Sequence, residues 1–104
     1  MGNLGFGFRP THPGEVLSDE IEYRGTSKKK LAEQMGLSYS ILNDILKERR
    51  PLTVDTAMLF EAAMNLPADA LMRMQLKYNM QVASKDKQFS KRLAEVRKMV
   101  ATLL

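Results

Sequence analysis

Residues 27–46 read Ser-Lys-Lys-Lys-Leu-Ala-Glu-Gln-Met-Gly-Leu-Ser-Tyr-Ser-Ile-Leu-Asn-Asp-Ile-Leu. Two short segments of apolar periodicity meet there across one glycine, and few folds accept that arrangement. Leu31, Ala32 and Met35 fall on one face of a first helix, and Leu37, Leu42 and Ile45 supply the apolar face of a second. Helices that meet at roughly a right angle need a small residue where they cross, and Ala32 fits. The tight turn needs a residue tolerant of positive φ, and Gly36 fits. Ser27 and Ser38 each stand just ahead of a helical pattern, where a hydroxyl can cap free backbone N–H groups. The pattern is that of a helix-turn-helix.

An ordinary helical hairpin also needs a glycine between two amphipathic helices, and charge helps to separate the two. Residues 27–50 hold Lys28, Lys29, Lys30, Lys47, Arg49 and Arg50 against Glu33, Asp44 and Glu48, six against three, for a net +3. Residues 1–26 hold Arg9 and Arg24 against Glu15, Asp19, Glu20 and Glu22, two against four, for a net −2. Basic surface is thus concentrated on the motif, as an electrostatic footprint for phosphates should be. The whole chain carries +4 at pH 7, which fits an anionic partner without naming it.

A chain of 104 residues is one domain by size and can bury a core without staples. With no cysteine there are no disulfides, and a cytosolic home is permitted. No apolar run approaches the roughly 20 residues of a membrane span, and the N-terminus lacks the apolar core of a secretory signal. Neither membrane insertion nor export is expected. The single histidine, His12, lies beside Pro13 and reads as a cap or a surface residue at a helix entrance. With no second histidine and no cysteine, the sequence offers no metal site, no cofactor motif and no catalytic residues. The chain is not expected to be an enzyme.

The organisation along the chain is helical throughout. Residues 1–10 are Gly-rich and read as a loose arm. A first helix should start at Pro13, with Glu15 favourable in its first turn; Val16, Leu17, Ile21 and Tyr23 give its buried side, and Gly25 ends it. After the motif, Pro51 breaks the chain. A fourth helix follows Thr53 or Asp55 as cap, with Ala57, Met58, Phe60, Ala62 and Met64 as its apolar positions. Asn65-Leu66-Pro67 is a break, and Leu71, Met74, Tyr78 and Val82 recur at helical spacing in a fifth helix. No strand-like alternation and no internal repeat appear. The expected fold is all-α, with a five-helix domain over residues 11–84 and a C-terminal helix over residues 85–104. In that tail Phe89, Leu93, Val96, Val100 and Leu103 form a heptad-like seam. Around it stand Lys85, Lys87, Lys91, Arg92, Arg97 and Lys98 against Asp86 and Glu95, six against two, for a net +4. Own-chain packing, a second subunit and a different protein are three ways to cover that seam.

In a helix-turn-helix the start of the second helix faces base edges. Tyr39, Ser40 and Asn43 are then the base-reading candidates. Asn can make a paired donor–acceptor contact with adenine, Ser can bond to several bases, and Tyr can touch a phosphate or a thymine methyl. Ile41 either meets a thymine methyl or packs inward. Ser27 and Lys28 open the first helix, where free N–H groups and charge favour a phosphate. Arg49 and Arg50 sit just past the reading helix and are assigned to the phosphate backbone. For each lysine and arginine the alternative is plain surface charge.

These residues resemble a known family. His12-Pro13-Gly14-Glu15-Val16-Leu17, the helix-turn-helix, Arg49-Arg50 and Thr53-Val54-Asp55-Thr56-Ala57 are similar to HigA-type antidote proteins of toxin–antitoxin modules, within the phage-repressor-like helix-turn-helix group. The resemblance continues through Leu66-Pro67-Ala68 and Gln75-Leu76-Lys77-Tyr78 and covers roughly residues 9–84. It implies a bacterial, cytoplasmic, nucleoid-associated homodimer that binds an inverted repeat in its own promoter. It also implies a partner: a HigB-like toxin resembling the RelE-type ribonucleases that cut mRNA on the ribosome. By position, Ser27, Lys28, Tyr39, Ser40, Asn43 and Arg49 would face DNA. Lys47-Glu48 departs from the Asn-Gly frequent in the family, Leu71 stands where many members have Trp, and the tail from Lys85 has no match. Two other functions fit the same chain. One is a free-standing transcriptional regulator without a toxin. The other is a helical protein-interaction module that has lost DNA binding.

Overall fold

The computed structural model describes residues 11–103, and the loose arm expected over residues 1–10 lies outside them. Among the described residues every regular element is helical: α1 Pro13–Arg24, α2 Lys28–Met35, α3 Tyr39–Leu46, α4 Val54–Met64, α5 Ala68–Lys85 and α6 Lys87–Leu103.

Short hydroxyl side chains start α2, α3 and α4. The hydroxyls of Ser27, Ser38 and Thr53 accept from the N–H groups of Lys30 at 3.3 Å, Ile41 at 3.1 Å and Thr56 at 3.3 Å. Each such cap is worth about 1 kcal/mol to its helix. Thr53, not Asp55, is the cap of α4. On α1 the cap is His12, whose Nδ1 accepts from Gly14 N–H at 2.9 Å.

One closure ends three of them. Gly25 and Gly36 take left-handed φ of 66° and 69°. Behind them Thr26 N–H reaches Ile21 O at 3.1 Å and Leu37 N–H reaches Ala32 O at 2.9 Å. That is the Schellman arrangement, in which glycine pays no Cβ penalty. α3 closes in the same way without a glycine: Glu48 holds φ 63°, its N–H donates to Ile45 O at 3.0 Å, and Arg49 N–H donates to Asp44 O at 2.8 Å. Asn65, at φ 57°, ends α4.

The core gathers Leu17 and Ile21 of α1, Leu31, Ala32 and Met35 of α2, Leu42, Ile45 and Leu46 of α3, Leu52, Ala57, Phe60 and Met64 around α4, and Leu71 of α5. Ala32, the small residue expected where helices cross, is 2% exposed within this cluster. Leu37 and Ile41 pack on the edge of this cluster, so Ile41 is committed to packing. Three helices bury a narrower stripe than expected. On α1 the buried pair Leu17 and Ile21 is one turn apart, which turns Val16 and Tyr23 outward; Tyr23 is 88% exposed. On α4 the stripe Ala57, Phe60 and Met64 leaves Met58 and Ala62 exposed. On α5 the inward row runs from Leu71 to Gln75, with Met74 and Tyr78 half-buried and Val82 exposed. Gln75 is polar and escaped the apolar pattern. Its Oε1 accepts from the buried Leu52 N–H at 2.7 Å, and its Nε2 donates to Asn79 Oδ1 at 2.9 Å.

Only Asp86 interrupts the helical run between α5 and α6, and its carboxylate caps α6 by accepting from Phe89 N–H at 3.0 Å. α6 buries no residue. Leu93 is half-buried, while Phe89, Val96, Val100 and Leu103 stay exposed. Among the described residues, packing within the chain leaves most of the seam exposed.

Candidate nucleic-acid interface

The second helix of the motif, α3, is held from behind and left bare in front. Leu42, Ile45 and Leu46 anchor it in the core, and α2 packs across it. α1 braces its C-terminal end. Ser18 Oγ donates to Leu46 O at 3.2 Å, and Gly14 lies so close to Ile45 that a Cβ there would overlap the Ile45 carbonyl oxygen. Glycine at position 14 is therefore a demand of helix packing. A reading helix must be held in this way, because base contacts tolerate little misplacement.

On the open face of α3 stand Tyr39 and Ser40, both exposed, and Asn43, half-buried. The helical period places these three together, flanking the core stripe. Lys47, exposed one turn beyond Asn43, belongs to the same face. Sequence reasoning counted its charge but not its position, although the i, i+4 register from Asn43 was available.

Ser27 and Lys28 are exposed at the start of α2. The Ser27 oxygen accepts the capping bond, so its O–H remains as a donor. Lys29 and Lys30 are exposed beside them.

Arg49 and Arg50 occupy the loop between α3 and α4, and both are drawn back to Asp44. Arg49 donates from Nε at 3.2 Å and Nη2 at 3.1 Å to Asp44 Oδ1, and Arg50 Nη2 lies 3.8 Å from Oδ2. Both arginines were expected on phosphate, and their ion pairing with Asp44 is not evident in the sequence. The signal was hidden because it depends on the left-handed turn at Glu48, a position where glycine would have announced the closure.

Behind the loop lies His12, 2% exposed, with its ring edge-on to Tyr78 at 4.8 Å between centroids. Burial pushes its pKa below the usual histidine value, while the charge of Glu48 and a hydrogen bond to the Arg50 backbone pull the other way. With Nδ1 occupied as an acceptor, the second ring nitrogen is the donor. The neutral ring thereby ties α1 to the loop that carries Arg49 and Arg50.

Among the described residues, no three of His, Cys, Asp and Glu converge as a metal site would require. No helix there is long and apolar enough to cross a membrane. The site offers hydrogen-bonding side chains on a fixed helix with cations around them, which suits recognition of an anionic, base-bearing polymer.

Comparison with known proteins agrees with this geometry. A helix-turn-helix family model matches residues 22–71. Virulence-associated protein I of Dichelobacter nodosus is 36% identical over 78 residues, which span 74% of this chain and 72% of that protein. The solved structure of Pseudomonas aeruginosa antitoxin HigA with the higBA promoter aligns at a TM-score of 0.69 and 32% identity, over 73% of this chain and 84% of that one. An addiction module antidote protein of the HigA family from Coxiella burnetii aligns at a TM-score of 0.73 and 26% identity, over 85% and 95%. With its motif, its capped and braced reading helix and these relatives, the chain belongs to the HigA-type antidote group of the helix-turn-helix family.

Proposed function

We propose that this chain is a sequence-specific DNA-binding antitoxin that represses its own operon and neutralises a HigB-like, mRNA-cleaving toxin. The observation that carries the DNA half is the open face of α3, where Tyr39 and Ser40 are exposed and Asn43 is half-buried beside them, on a helix held by α1 and α2. A HigA relative of this fold was solved with promoter DNA, which supports placing the same face in a major groove. Asn43 would pair with an adenine edge, and Ser40 and Tyr39 would flank it. Ser27, Lys28, Arg49 and Arg50 would hold phosphates on either side and fix the register without reading sequence.

An inverted repeat calls for two reading helices about 34 Å apart, hence a homodimer. Uncovered apolar surface supports one. Val54, Met58, Ala68 and Met72, with Glu61 and Asp69, line an open groove of about 360 Å³ between α4 and α5, Leu76 and Met80 continue outward along α5, and most of the α6 seam is exposed among the described residues. α6 is assigned to a second subunit or to the toxin, in the cytoplasm and at the nucleoid.

Co-expression with the small reading frame adjacent to this gene tests the proposal. The neighbour alone should arrest growth, and this chain should bind it and restore growth. A harmless or non-binding neighbour would leave a free-standing regulator, to be assayed on its promoter alone.

A further inference from the structure

We propose that Asp44 is a positioning residue for DNA binding, whose carboxylate fixes the Arg49 guanidinium for a phosphate oxygen. The inference rests on the DNA-binding reading above and assigns a role inside that site to a residue outside the base-reading and phosphate sets.

Asp44 stands where a carboxylate is unwelcome. It lies in the last turn of α3, beside the negative end of the helix dipole, and on the helix whose outer face would approach the polyanion. The closure of α3 accounts for its presence. In a Schellman turn the residue after the left-handed position folds back over the residue five before it, and the two side chains usually form an apolar contact. On α2 that pair is Leu37 and Ala32, joined by their backbone bond at 2.9 Å. On α3 the pair is Arg49 and Asp44. They are joined by the backbone bond at 2.8 Å and again through the side chains at 3.2 and 3.1 Å.

The geometry favours presentation over masking. Asp44 Oδ1 takes Nε–H and one Nη2–H of Arg49, and the remaining three of the five guanidinium donors stay available. The Arg49 side chain is 58% exposed, so those donors reach solvent. One guanidinium can therefore bridge the carboxylate and a phosphate oxygen together. Arg50, at 3.8 Å, is held more loosely by Oδ2.

The test is a double-mutant cycle on the full chain: wild type, Asp44→Asn, Arg49→Ala and the pair. Each is titrated by fluorescence anisotropy against a duplex of the promoter upstream of this reading frame and an unrelated duplex of equal length, over a series of salt concentrations. Asp44→Asn is isosteric and surface-placed, and circular dichroism checks that its helicity is unchanged. Releasing an ordered arginine should weaken both duplexes by one common factor of ~2–10, with the salt slope unchanged. In the Arg49→Ala background the same substitution should weaken neither. Tighter binding with a steeper slope would show that Asp44 masks the arginines and would overturn the proposal. So would an effect confined to one base pair, or an equal loss without Arg49. If Arg49→Ala weakens binding and Asp44→Asn changes nothing, the inference fails while the DNA-binding reading stands. A wild-type chain that binds neither duplex overturns both.

Discussion

Gly14→Ala isolates the contact that sets the reading helix. Gly14 is in the first turn of α1, with negative φ and no need of glycine's conformational freedom, so backbone strain does not enter. The new methyl would overlap the Ile45 carbonyl oxygen and stand 3.1 Å from both the Ile45 carbonyl carbon and His12 Nδ1. These approaches fall inside the ~3.5–4.0 Å of optimal contact. The obstacles are backbone of α3 and a buried ring, and neither can rotate away. Overpacking of this kind costs about 1–3 kcal/mol, with the rigid obstacle arguing for the upper end. Alanine's better helix propensity returns under about 1 kcal/mol. A net loss of about 2 kcal/mol corresponds to a fall in melting midpoint of roughly 8–16 °C for a domain of this size. Thermal unfolding followed by circular dichroism reads it directly. Promoter affinity, measured well below the transition, should fall as well, because relief of the clash tilts α3. A midpoint within about 3 °C of wild type would refute the reasoning, since it would mean that α1 and α3 separate at no cost.

Three further outcomes follow from the same structure. Glu48→Gly should raise the melting midpoint by about 2–6 °C, because glycine occupies the left-handed closure of α3 without Cβ strain; a lower midpoint would mean that interactions of Glu48 outweigh that strain. Gln75→Leu should cost about 1–3 kcal/mol by leaving the buried Leu52 N–H without its 2.7 Å acceptor, and an unchanged midpoint would argue that another group satisfies that amide. For His12 the folded pKa is lowered by burial, so the unfolded chain binds the proton more readily. The stabilisation is complete above the unfolded value near 6.5 and is lost as pH falls through the lower folded value. His12 is the only histidine, so denaturant midpoints should decline as pH falls below about 6.5 in wild type, and this decline should be absent in His12→Gln. Parallel slopes in the two proteins would contradict the assignment.

Helix starts and stops were legible because each depends on one residue's local chemistry. Ser27, Ser38 and Pro13 announce starts, and Gly25 and Gly36 announce left-handed ends. Three things were not legible. The inward face of α1 and α4 was drawn too wide, because residues such as Tyr23 and Met58 are apolar and exposed, and composition does not tell which apolar residues a neighbour covers. Gln75 is a core residue by virtue of one amide 23 positions away, which no periodicity reports. The Asp44–Arg49–Arg50 cluster depends on a closure made by Glu48, where the usual glycine is absent. Tyr39, Ser40 and Asn43 were legible as one face because helical register alone places them.

The direct test of the central claim is a salt-resolved comparison of Asn43→Ala with Lys28→Ala on the promoter duplex and on single-base variants of it. A dimer with about eight phosphate contacts predicts a wild-type slope of log K against log salt near −7. Asn43→Ala should relax discrimination at one base position and keep that slope, while Lys28→Ala should weaken every sequence alike and make the slope shallower by about one per subunit. Identical behaviour of the two variants, or a wild-type slope shallower than about −2, would contradict the assignment of α3 to bases and of the start of α2 to phosphates.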